Sequence, residues 1–133
     1  MKKFIAIIIV LAAIAGAVYY FVINKPHRDV NDEAAIEIAA PQLFAEFTAN
    51  EAEANKKYLN KAILVSGIVS AVEENQDKQK YMILQTDDAL NGVMCTMRSN
   101  DFSTKTGDQV SVKGFCSGFV GDVKLTDCVL NPQ

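Results

Sequence analysis

The chain has 133 residues, with 13 Lys/Arg against 16 Asp/Glu, three Cys and one His. From Ala34 onward nine Lys/Arg stand against thirteen Asp/Glu, which argues against a nucleic-acid binder of the usual basic kind. No CxxC occurs and the one His is His27, so a zinc site and a Cys–His nucleophile are both disfavoured.

Residues 4–23 (FIAIIIVLAAIAGAVYYFVI) carry no charge and are flanked by Lys2-Lys3 and Asn24-Lys25-Pro26. Twenty residues at about 1.5 Å each reach roughly 30 Å, the thickness of a bilayer core. Two readings compete. A secretory signal has a basic start, an apolar centre and small residues, and Ala15-Gly16-Ala17 supplies a cleavage site. The run continues through Val18-Tyr19-Tyr20-Phe21-Val22-Ile23, however, which a spanning helix needs and a cleaved signal does not. Residues 1–23 are therefore read as an uncleaved transmembrane anchor. Lys and Arg count two on each side. The free amino group places the N-terminus inside and the domain outside the cytoplasm, periplasmic or on the outer face. No Cys precedes Cys95, so no lipid-modified cysteine is expected. Met-Lys-Lys before an apolar run is bacterial in style.

Residues 24–33 (NKPHRDVNDE) are polar without periodicity and read as a juxtamembrane linker, His27 being a solvated loop residue. Residues 34–60 read as a helical segment. Leu43, Phe44, Phe47, Ala54 and Tyr58 keep helical spacing, and Pro41 suits a first turn. Asn50 with Glu53 resembles a capping box. The expectation is a helix over 41–48, a joint, and a second helix over 51–58.

From Lys61 the period changes to that of strands. Strands are expected at 61–73, 79–86, 92–98, 109–116 and 122–130, with Asn91-Gly92 as a hairpin turn and SGFVG (117–121) as another. Gly67 and Gly114 fall inside strands, where glycine marks a bulge, a bend or close approach. Five strands with a break after the third form the pattern of an OB-fold, a partly open Greek-key barrel. An SH3-like barrel is the rival. The fold class expected is mainly β with N-terminal helices: a transmembrane helix, a short helical segment, then a five-stranded OB-fold-like barrel over 61–133.

The sequence resembles the tRNA_anti-like family of small bacterial OB-fold proteins. The likeness rests on Lys57-Tyr58-Leu59-Asn60-Lys61, the strand around Gly67, Val93-Met94-Cys95, Gly107-Asp108 through Gly114, Cys116-Ser117-Gly118, and Asp122-Val123 through Asp127-Cys128. It covers roughly residues 40–130 and brings no catalytic residue with it.

OB-folds bind on the face of their second and third strands and on two adjoining loops. Here these are residues 80–86, 93–98, 73–78 and 117–121. Stacking of single-stranded nucleic acid requires aromatics on a cationic groove. The candidates are Tyr81, Phe115 and Phe119 with Lys80, Arg98, Lys113 and Lys124. The plainer reading is favoured: Phe115 packs under a turn and Tyr81 caps the barrel. Loop 73–77 is acidic and repels phosphate. Asp87-Asp88 and Asp122 with Asp127 lack the spacing of a calcium loop, so no metal and no cofactor are expected. The cysteines are read as small buried strand residues, with Cys95–Cys128 the candidate disulfide in an oxidising compartment. Two functions stand: a non-catalytic membrane-tethered module for a protein, peptide or glycan, and a single-stranded nucleic-acid-binding domain held at the membrane.

Overall fold

A computed structural model describes residues 1–24 and 28–132. The expected linker's Lys25, Pro26 and His27 lie outside the described residues. In chain order the elements are α1 (Lys2–Ile23), β1 (Ile36–Ala39), α2 (Ala40–Ala49), α3 (Glu51–Tyr58), β2 (Ala62–Glu74), β3 (Lys80–Leu84), β4 (Val93–Met97), β5 (Gln109–Val120) and β6 (Asp122–Leu130).

Helix α1 is long and apolar enough to cross a membrane, compatible with a signal anchor or a membrane span. Its 22 residues reach about 33 Å.

Strands β2 to β6 close a five-stranded barrel in the order β2-β3-β4-β6-β5, with β5 returning to β2. All contacts are antiparallel except β4 with β6. This is the OB-fold. Closure depends on the length of β2, whose residues Ala62 to Ile68 pair with β5 and Val69 to Glu74 with β3. The register shifts between Val69 and Ala71, which lets one strand serve two neighbours. Gly67 lies at the changeover, where a Cβ would come within 3.1 Å of the Ala40 Cβ. Gly114 sits at a second bulge, opposite Asp127 and Cys128. A Cβ there would collide with the Cys128 Sγ.

The two helices expected around Asn50 are present. Asn50 is extended, and its side chain accepts from the Glu53 N–H at 3.2 Å, which starts α3 while ending α2. Leu43, Phe44, Phe47, Ala54 and Tyr58 are buried. Helix α2 lies against β1, β2, β4 and β6, so its apolar face covers the barrel core.

Four expectations are corrected. Residues 36–39 form a strand, not helix: β1 pairs parallel with Ile63 to Ser66, and the alternation Ile36-Glu37-Ile38 outweighs the alanine-rich helical surroundings. The SGFVG turn is instead the end of β5. Gly118 takes φ +124° at a bulge and Gly121 alone turns the chain at φ +76°, so Cys116 pairs with Leu125. Asn91-Gly92 is no two-residue hairpin turn, since neither has positive φ. Asp88 organises that loop, its Oδ1 accepting from the N–H groups of Leu90 and Asn91 at 2.8 Å. Gly92 serves close approach, its missing Cβ lying 2.5 Å from the Leu84 carbonyl oxygen.

The fourth correction concerns the linker. Residues 28–33 are docked on the barrel. Val30 is completely buried. Arg28 forks onto Glu33 at 2.5 and 2.6 Å, donates to the Asn60 carbonyl at 3.0 Å, and lies 4.7 Å from the Phe115 ring centre. Lys113 donates to the Asn31 carbonyl at 3.1 Å. Asn60, Lys113 and Phe115 are distant in sequence, which is why a polar stretch without period read only as a juxtamembrane linker.

Candidate binding surface

Alternation along β3 and β4 sorts their side chains. Met82, Leu84, Val93, Cys95 and Met97 point into the core. Tyr81, Ile83, Met94 and Thr96 point outward and are half-buried. Register sets them in two rows: Ala71, Ile83, Met94 and Lys124 across β2, β3, β4 and β6, and Glu73, Tyr81 and Thr96 beside it. The surface has an apolar centre with a carboxylate at one end and an ammonium at the other.

The Tyr81 hydroxyl donates to the Glu73 carboxylate at 2.5 Å. That bond is the main reason its pKa stands above the ordinary phenol value, with partial burial and the negative charges of Glu73 and Asp122 adding to it.

The seven candidate residues do not form one platform. Tyr81 and Lys124 share the β3–β4–β6 face. Lys80 donates to the Asn100 carbonyl at 3.3 Å and lies 5.5 Å from the Phe102 ring centre. Arg98 forks onto Asp127 at 2.7 and 2.5 Å and also reaches Asp29. Those carboxylates hold its pKa above even its ordinary high value. Lys113 and Phe115 lie under the docked segment of residues 28–33. Phe119 packs on the core against Phe44 and Phe47, ring centres 5.9 and 5.8 Å apart. The Lys124 ammonium, alone of the four cationic groups, makes no ion pair or hydrogen bond among the described residues, while its carbonyl accepts from Ser117. Ile83, Met94 and Thr96 lie within the expected face of residues 80–86 and 93–98 but were not among the seven candidates singled out, although strand alternation in YMIL and VMCTM carries the signal.

All three cysteines are free and fully buried. Burial lifts the Cys116 thiol above its ordinary value. The Cys128 thiol is held well above it by contact with the Cys95 thiol and by burial. The expected Cys95–Cys128 pair thus stands as two neighbouring thiols on adjacent strands. Neither Cys116 nor Cys128 has the exposed, electropositive setting that activates a thiolate. Among the described residues no group of three or more His, Cys, Asp and Glu is placed to hold a metal ion.

The tRNA_anti-like family model matches residues 1–129. The chain belongs to the tRNA_anti-like family. Among solved structures, this tRNA_anti-like chain is similar to a lipoprotein from Klebsiella pneumoniae subsp. pneumoniae provisionally described as nucleic acid-binding. Identity is 17%, the TM-score 0.56, and the match covers 81% of this chain and 100% of that one. A Leishmania major protein provisionally described as an aspartyl-tRNA synthetase matches at 14% identity and TM-score 0.46, over 74% of this chain and 21% of its own. No curated protein matches. At these identities the likeness to the Klebsiella lipoprotein concerns the fold.

Proposed function

We propose that this tRNA_anti-like chain is a single-pass, membrane-tethered binding module. In this reading it catalyses nothing and recognises a protein, peptide or glycan on the outer face of β3, β4 and β6. The observation that carries it is the half-exposed set Tyr81, Ile83, Met94 and Thr96, at the position where OB-folds take their ligands. Three of the four cations nominated for phosphate contact are engaged inside the chain, which leaves little to attract a nucleic-acid backbone. Helix α1 is the proposed tether, with the N-terminus inside and the barrel on the extracytoplasmic side.

The description of the Klebsiella lipoprotein favours a second reading, single-stranded nucleic acid on the same face. One experiment separates the two. A photo-crosslinking amino acid replaces Thr96, or Glu51 on α3 as control, in the full-length protein in its own membrane. The same protein, purified, is titrated with oligo-dT between about 50 and 200 mM salt. A protein or glycan adduct at position 96 and not at 51, without oligo-dT binding, supports the first reading. Oligo-dT affinity that falls steeply with salt and is lost in Lys124→Glu replaces it with the second.

A further inference from the structure

The loop between β3 and β4 folds beside the outer surface of β2 and leaves two grooves of about 380 and 410 Å³ that share Ile68, Gln85 and Thr86. The two grooves adjoin at these residues, Asp87 lining one and Leu90 the other, and are taken together as a channel. At one end it reaches Ala39 and Gln109, and at the other it opens beside Ile83, a member of the β3–β4–β6 face. Ile68 is 43% exposed and Leu90 is 91% exposed. Leu90 is the most exposed large apolar side chain outside residues 1–23 among the described residues, and it lines the same groove as Ile68. The titratable groups lining the channel are Asp87 and Asp88, with no Lys or Arg among its lining residues. Asp88 is committed to the N–H groups of the loop. Asp87 is exposed and makes no ion pair or hydrogen bond among the described residues.

We propose that this channel receives an extended segment of a partner protein in which a Lys or Arg adjoins an apolar residue. The cation lies against Asp87 and the apolar side chain against Leu90 and Ile68. Charge complementarity selects the occupant. A phosphate backbone or an anionic lipid surface meets Asp87 and no cation here, whereas a basic segment with an adjoining apolar residue meets a free carboxylate in one groove and apolar side chains in the next. The inference rests on the binding-module reading and names its partner class.

The test titrates the full-length protein, in zwitterionic nanodiscs, with a fluorescent hexapeptide of alternating lysine and leucine. The probes for comparison are its glutamate–leucine counterpart and oligo-dT. Saturable binding of the lysine peptide alone is expected, with Kd raised about tenfold or more by Asp87→Lys and by Leu90→Ser. Both side chains are exposed, so the variants fold, as circular dichroism will verify. Glu51→Lys, the same charge change on α3, leaves Kd unaltered. Equal weakening by Glu51→Lys, absence of saturable binding, or tighter binding of oligo-dT overturns the inference. A specific adduct at position 96 with peptide binding indifferent to Asp87 and Leu90 overturns it while keeping the module reading. Loss of both adduct and peptide binding overturns both.

Discussion

Arg98 and Asp29, 69 positions apart, are joined by two hydrogen bonds of 3.2 Å from the guanidinium to one carboxylate oxygen. The other side of the same guanidinium grips Asp127, which takes φ +54° at the β6 bulge. One side chain therefore pins the segment before β1 to the bulge of the last strand. Residues 25–27 alone separate Asn24 from this docked segment. At about 3.3–3.6 Å per residue, Asn24 and Arg28 are at most roughly 14 Å apart.

Arg98→Ala is expected to free residues 28–33 and leave the barrel standing. The groups are more than a third exposed, and pairs so exposed contribute little to global stability. Hydrogen exchange should show Val30 losing protection in the variant while β2 and β5 keep theirs. Equal loss in the strands would show that the segment and barrel unfold together.

Acid should release the same segment. The Asn31 N–H, foremost, and Arg98 hold the Asp29 carboxyl below its ordinary value of 3.8, and Arg28 lowers Glu33 from 4.5. Both groups bind protons more weakly when folded. Their contribution is present above the ordinary carboxylate range and is lost as pH falls through the lowered folded values. The protection factor at Val30 should thus fall below about pH 4 in the wild type, and Arg98→Ala should weaken that dependence.

Tyr58 is fully buried, its hydroxyl donating to Glu46 at 2.7 Å. Tyr58→Phe removes one bond while Glu46 keeps Lys57 at 2.9 Å, so a loss of about 1 kcal/mol is expected. Tyr58→Ala also empties the space beside Phe47 and should cost about 3–5 kcal/mol. Denaturant melts of both variants measure the difference.

Gly114→Ala drives a methyl into the Cys128 Sγ and should cost about 1–3 kcal/mol. Cys128→Ala makes room, so the double variant should recover part of that loss. Recovery stays partial because the Thr126 carbonyl also lies 3.1 Å from the added atom. A double-mutant cycle reads the coupling, and additive losses would contradict the contact.

The buried thiols define an alkylation pattern. Native protein should take up no reagent, and protein denatured without reductant should take it up at Cys95, Cys116 and Cys128. Uptake at Cys116 alone, with the other two appearing after reduction, would show Cys95 joined to Cys128 and place the barrel in an oxidising compartment.

Local pattern carried the apolar N-terminal helix, the Asn50 break between α2 and α3, and the five barrel strands. Each depends on the spacing of neighbouring residues: an uninterrupted apolar run, apolar positions every three or four, a side-chain cap, a period of two. Gly67 and Gly114 also announced two of the places where the barrel strands shift register. β1 escaped because four residues are too few for a pattern and their stability comes from pairing with Ile63 to Ser66. The binding surface was legible only by strand. Sequence put Tyr81 and Lys124 among the candidates, but charge and aromaticity alone could not separate them from Arg98, Lys113, Phe115 and Phe119.

What the sequence determined by itself, then, was the kind of every element except β1, because helix and strand periods are written within a few residues. Tertiary structure alone decided which cations are already engaged, which aromatics are core, and that residues 28–33 are docked. Those outcomes depend on partners up to 87 positions away, brought together by barrel closure, and no local spacing encodes them.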